Sequence, residues 1–219
     1  AATKTLDIPI LGTSITDYAS ALGISNWTGT VGGNISGTSD AVPFAEQAQM
    51  MIDTLGLESG AKVGLLYCSS EPNSQYQVDI VDEYLSGKGI TVTHYKFNDS
   101  NDLQSITASA ADACDAIYVP TDNTCASSAG IIDGICQAAG VPIIAGEEGI
   151  CAGCGVATLS ISYYDLGVAT GKMAAKILKG EADISTMPVE YAATSTPKFN
   201  ATICEALGLT APEGYTAIG

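Results

Sequence analysis

The sequence contains no arginine. Its eight basic residues are all lysine, set against 24 acidic ones, for a formal net charge of -16. That balance repels phosphate backbones and anionic bilayers, so nucleic acid and lipid surfaces are not expected partners. Without arginine the usual bidentate clamp for carboxylate or phosphate is missing. An anionic ligand group must then be held by backbone N–H groups, hydroxyls, lysine or residues outside this chain. No apolar run approaches the roughly 20 residues that span a bilayer. The opening AATKTLDIPI has neither an initiator methionine nor a charged-then-apolar leader, so any targeting element is expected to have been removed or to lie outside this stretch.

Signs of catalysis are also sparse. His94, the one histidine, falls mid-strand with no serine or cysteine beside it in a nucleophile motif, and no two carboxylates form a catalytic pattern. GTVGGNISG is not followed by Lys-Ser or Lys-Thr, which excludes a P-loop, and no GxGxxG follows a strand. The cysteines (Cys68, Cys114, Cys125, Cys136, Cys151, Cys154 and Cys204) are odd in number and scattered, unlike a secreted disulfide framework. Most read as small buried hydrophobes. Cys151-Ala152-Gly153-Cys154 stands apart. A CxxC serves as a redox pair, a metal half-site, a local disulfide or plain thiols. A metal would need further ligands, and a second CxxC or histidine pair is absent. A thioredoxin-like motif opens a helix after a strand, whereas this one reads as a Gly-rich turn before a strand.

What is present is an alternation of apolar runs and amphipathic stretches. Residues 8–11, 62–67, 90–97, 116–119, 141–145 and 156–161 read as strands. Helical spacing places Phe44, Ala48, Met51, Ile52 and Leu55 on one face after Pro43, and Val78, Val81, Tyr84 and Leu85 on another. Leu103, Ile106 and Ala110 mark a third helix, and Ile131, Ile132, Ile135 and Ala139 a fourth. Leu166, Thr170, Met173 and Ile177 mark a fifth, with Asp165 near its start and Lys172, Lys176 and Lys179 toward its end, as the macrodipole prefers. The Gly- and Ser-rich residues 29–40 read as a loop. Strands alternating with helices imply an α/β fold with parallel sheets of right-handed βαβ units.

In such sheets ligands bind beyond the carboxyl ends of the strands. Four of those ends carry polar clusters: Ser14, Thr16 and Asp17; Ser69, Ser70, Glu71, Asn73 and Ser74; Thr121, Asp122 and Asn123; and Glu147. Such residues also serve as helix N-caps. One cap per turn does not call for Glu147 and Glu148 together, nor for Thr-Asp-Asn-Thr. A carboxylate such as Asp122 or Glu147 suits a ligand ammonium, which would fit an amino acid. Tyr18, Tyr76, Tyr163 and Tyr164 are candidate walls for a planar ligand, set against simple packing.

The stretches IPILGTSITD, GGNISGTSD, KVGLLYCSSEPNS, AIYVPTDNT, VPIIAGEEG and VATLSISYYDLGVATGKMAAKILKGE resemble the ABC-transporter substrate-binding protein family that includes tryptophan-binding TrpX-type lipoproteins. TDNT and YYDLGVATGKMA are the most specific pieces. The resemblance implies a type I periplasmic-binding-protein fold of two Rossmann-like lobes joined by three crossovers, near residues 38–40, 149–155 and 183–188. Residues 1–40 and 150–185 would form the first lobe, and residues 41–149 and 186–219 the second. Family members carry a βαβα segment ahead of the strand at residues 8–11, so the first lobe is expected to be incomplete here. CAGC is unusual for the family and would lie at a crossover, where a disulfide would stiffen closure.

The function implied is an extracytoplasmic solute-binding component of an ABC importer, periplasmic or a cell-surface lipoprotein. It would capture an amino acid, aromatic or branched ones first, by hinge closure over an interlobe cleft and present it to a membrane permease. No cofactor, metal or catalysis is implied. A CxxC redox protein, a small-molecule enzyme and the ligand-sensing domain of a receptor are the alternatives.

Overall fold

The computed structural model describes residues 4–218. In chain order it begins with β1 (Ile10–Gly12), α1 (Tyr18–Leu22) and β2 (Ile35–Ser39). Then come α2 (Phe44–Leu55), β3 (Lys62–Cys68), α3 (Pro72–Gly87), β4 (Thr91–Phe97), α4 (Ser100–Ala113) and β5 (Ala116–Val119). They are followed by α5 (Asn123–Ser127), α6 (Ala129–Ala139), β6 (Ile143–Ala145), α7 (Glu148–Cys154), β7 (Ala157–Ser160) and α8 (Tyr163–Leu178). A 3-10 turn (Ile184–Thr186), β8 (Glu190–Tyr191), β9 (Thr196–Phe199), α9 (Ala201–Ala206) and β10 (Thr216–Ala217) complete it.

The chain divides into two units, exchanging after Val42, Ser160 and Ser195. Strand pairing sets the second and third exchanges. β7 is hydrogen-bonded to β6 and β9, which keeps α7 and β7 in the second unit, while β8 pairs with β2 and stays in the first.

The first unit is built on a parallel sheet in the order β1-β2-β8, with α8 packed on β1 and β2. Its first strand begins later than the apolar run suggests, because Ile8 is exposed and pairing starts at Ile10. β2 runs through what reads as a loop. Its Ser36, Gly37, Thr38 and Ser39 are buried, and the hydroxyls find internal partners: Ser36 donates to Met187 O at 2.9 Å and Ser39 to Thr16 O at 3.0 Å. Gly37 pairs with Gly12 at φ +148°, and a Cβ there would strike the Gly12 carbonyl and the Tyr18 hydroxyl. Glycine is required by close approach as much as by φ.

The second unit has a seven-stranded sheet in the order β10-β9-β7-β6-β5-β3-β4, parallel except for the β7–β9 pair. β3 and β5 are apolar runs buried almost throughout, as central parallel strands are. β4, at the sheet edge, alternates and carries His94 and Lys96. Two helical readings change. α6 buries Ala129, Ile132 and Cys136, leaving Ile131 half exposed and Ala139 on the surface. CAGC lies in helix α7 rather than in a turn. Glu147 caps that helix, and Ile150, Cys151 and Cys154 turn into the core, which outweighs the poor helix propensity of its glycines.

Candidate functional site

In the second unit, three strand ends converge through hydrogen bonds. Asp122, after β5, is buried, and its carboxylate serves three donors. Oδ1 accepts the Cys125 N–H at 2.8 Å, capping α5, while Oδ2 accepts the Cys68 N–H and the Ser74 hydroxyl, each at 2.8 Å. Glu71 repeats the device. Its two oxygens accept the backbone N–H groups of Asn123 and Thr124 and both side chains, at 2.8–3.0 Å. Burial pushes the Glu71 carboxyl up, but these hydrogen bonds outweigh it and hold the group below its usual range. Asn73 donates to Thr121 O at 2.7 Å, and Gln77 accepts the Thr121 N–H at 2.9 Å. Asp122, Glu71, Ser74 and Asn73 are thereby engaged in fastening the β3 and β5 turns to each other.

The third end, after β6, is joined to these from beneath. Gln47 of α2 is buried; its amide donates to Gly146 O at 2.9 Å and Leu159 O at 3.0 Å, and it accepts the Tyr118 hydroxyl at 2.7 Å. Glu147 caps α7, accepting from Gly149 N and Ile150 N, and stays half buried. Glu148 forms an ion pair with Lys198. Ser69, Ser70 and Asn123 are the exposed polar residues of this group. Gln47 and Gln77 escaped the sequence reading because polar residues on a buried helix face leave no mark in an apolar pattern.

In the first unit, Asp17 caps α1 through Ala19 N at 3.0 Å and Ser20 N at 3.1 Å. Ser14 sits at φ 55°, in the left-handed region that a non-glycine residue enters at a cost. Its N–H donates to Thr38 Oγ1 at 3.3 Å, which is itself 2.9 Å from Thr170 Oγ1. Thr16 is buried, and its carbonyl holds Ser39. Of the candidate aromatics, Tyr18 is internal. It stacks on Trp27 with centroids 6.4 Å apart and donates to Thr38 O at 3.2 Å. Burial, then the charge of Asp40, pushes its phenol up to about 12. Tyr163 donates to Asp40 at 3.4 Å, and Tyr164 is 81% exposed. In the second unit Tyr76 meets Phe44 edge-on at 6.0 Å.

His94 lies between Tyr67 and Asp82, 3.0 Å from each, but Tyr67 is buried in the sheet. All seven cysteines are free thiols. Of the readings open for CAGC the structure has plain thiols, and the motif sits inside the second unit. Burial pushes the Cys151 and Cys154 thiols far up, with neighbouring Cys204 and Cys136 adding to it, so neither is a ready thiolate. Among the described residues no group of three or more His, Cys, Asp or Glu is placed to hold a metal, and no helix is long and apolar enough to cross a membrane.

The family model for ABC transporter substrate binding proteins matches residues 1–217. The chain belongs to the ABC transporter substrate-binding protein family. It is similar to a tyrosine-binding protein of Clostridioides difficile (strain R20291), with 34% identity over 84% of this chain and 52% of that protein. This member of the family thus spans about half the length of that curated relative. Among solved structures it is similar to an ABC domain in complex with L-Trp from Streptococcus pneumonia, with a TM-score of 0.89 and 33% identity over 99% of this chain and 74% of that one. It is also similar to a ligand-free, open substrate-binding protein with adhesive properties from Clostridium difficile, at 35% identity and a TM-score of 0.76, covering 99% and 73%. The fold is the type I periplasmic-binding-protein class, and the family is one of binding proteins rather than enzymes.

Proposed function

We propose that this chain belongs to the extracytoplasmic, lipid-anchored component of an ABC importer and captures an amino acid, aromatic ones first, between its two units by hinge closure. A membrane permease then recognises the closed form. The observation that carries the reading is the fastening of the β3, β5 and β6 ends into one set of turns. Such bracing holds ligand groups in place before the ligand arrives, which lowers the cost of binding. The names of the relatives, one tyrosine-binding and one holding L-Trp, support the ligand class.

The roles follow from which groups are already occupied. Glu71 accepts four hydrogen bonds from within and buried Asp122 three, against two at half-buried Glu147, so the ligand ammonium goes to Glu147. With no arginine in the chain, the ligand carboxylate is held by the Thr16 and Asp17 backbone N–H groups from the first unit and by the Ser69 and Ser70 hydroxyls from the second, which turn to it from the Phe97 and Asn98 carbonyls. Tyr76, Tyr163 and Tyr164 supply the aromatic wall.

The test is a thermal-shift screen of the full-length protein against amino acids, nucleosides and sugars. An amino acid at about 100 times its Kd should add about 2.7 kcal/mol. Glu147→Gln should weaken that ligand tenfold or more. Stabilisation by none of the amino acids overturns the reading.

A further inference from the structure

The first unit contains a cavity of ≈ 380 Å³ that none of the twelve strand-end candidates lines. We propose that it is a second small-molecule site, for a zwitterionic amino acid with an apolar side chain.

Its volume lies in the roughly 300–1,000 Å³ range of small-ligand pockets, and its lining is mixed, with polar or charged and apolar side chains in about equal measure. Leu166 and Ala169 of α8 line it together with Ala192 and Ala193, which follow β8. Lys172, Asp165 and Glu190 stand around it, and the half-exposed Tyr191 ring forms one side. Lys172 and Asp165 are seven residues apart on α8, about 10 Å along the axis. That is too far for the two to neutralise each other, and Glu190 comes from a different element.

The chain has three times as many carboxylates as lysines, yet among the described residues Lys172 pairs with none. One cavity therefore holds a free ammonium and two carboxylates beside apolar side chains. An α-amino acid matches it group for group. The ligand carboxylate meets Lys172, its ammonium meets Asp165 or Glu190, and its side chain covers Leu166 and Ala169 beside Tyr191. A sugar would leave the charges unmatched, and an inorganic anion would leave the apolar side chains bare.

The site is independent of the strand-end turns, and the experiment separates the two. The full-length protein is titrated with L-tryptophan by calorimetry, alongside Lys172→Gln and the charge-keeping Lys172→Arg. The expected result is two equivalents bound by the wild type, with K172Q losing one at least tenfold, K172R retaining it, and the other affinity unchanged within twofold. One equivalent in the wild type and none in K172Q also supports this site, while overturning the strand-end reading. One equivalent bound equally by wild type and K172Q overturns this site alone. No binding by the wild type overturns this site and, for tryptophan, the strand-end one.

Discussion

The Asp122 carboxylate accepts the backbone N–H of Cys68 at 2.8 Å, across 54 residues of chain. It thereby ties the end of β5 to the end of β3, and with Ser74 and Cys125 it has both oxygens engaged and three donors served.

Removing Asp122 should cost stability. Asp122→Ala strands two backbone N–H groups and a hydroxyl, each bonded to a charged partner. The loss should be about 3–5 kcal/mol in urea unfolding. A loss below about 1 kcal/mol would show that the carboxylate is not the brace described.

Gln47 and Tyr118 provide a graded comparison. Tyr118→Phe removes one donor and should cost about 1 kcal/mol, while Gln47→Leu orphans Gly146 O, Leu159 O and the Tyr118 hydroxyl and should cost about 2–4 kcal/mol. Denaturant midpoints of the two variants check the order.

Acid should unfold the second unit partly through Glu71. Its carboxyl lies below the usual value in the folded protein. The unfolded chain therefore takes up the proton first as pH falls. The stabilisation is complete above the ordinary carboxylate range and is lost as pH drops through the folded value. Asp82, where burial is outweighed by hydrogen bonds from His94 and Ser86, adds in the same direction. Glu71→Gln should flatten the acid limb of a stability–pH curve, read as urea midpoints between about pH 3 and 7.

The thiols should be separable by reactivity. Cys114, partly exposed, should react first with a disulfide reagent under native conditions, while Cys125, Cys151 and Cys154 wait for unfolding. Mass spectra taken before and after reduction should be identical. A gain of two hydrogen atoms on reduction would mean that a pair had closed.

Gly37→Ala should disable the first unit. The added methyl meets the Gly12 backbone and the Tyr18 hydroxyl, and φ +148° strains any L side chain. Loss of Trp27 fluorescence change on unfolding, with the second unit's transition kept, is the expected signature.

The legible parts of the sequence were those where apolar residues do the burying. KVGLLY and AIYV announce β3 and β5, and the strand ends follow from them. β2 was hidden because its ISGTS is polar and is buried through paired hydroxyls. α7 was hidden because three of its seven residues are glycine or alanine around CxxC, while its cap and core contacts lie outside any local pattern. The strand-end residues were found by position, but spacing could not tell braces from ligand groups. Asp122 and Glu147 look alike in sequence; only hydrogen-bond partners distinguish a carboxylate serving three donors from one serving two.

The antiparallel β9 has a consequence for synthesis. Residues 196–199 cover the edge of β7, yet they are translated after everything else in the sheet except β10. A nascent polypeptide that has emerged as far as Ser195 already holds β1, β2 and β8 of the first unit, while the second displays a bare template for stray pairing. A message truncated at that codon should yield aggregates nucleated on β7, and a chaperone that shields this edge would matter most in the last moments of translation.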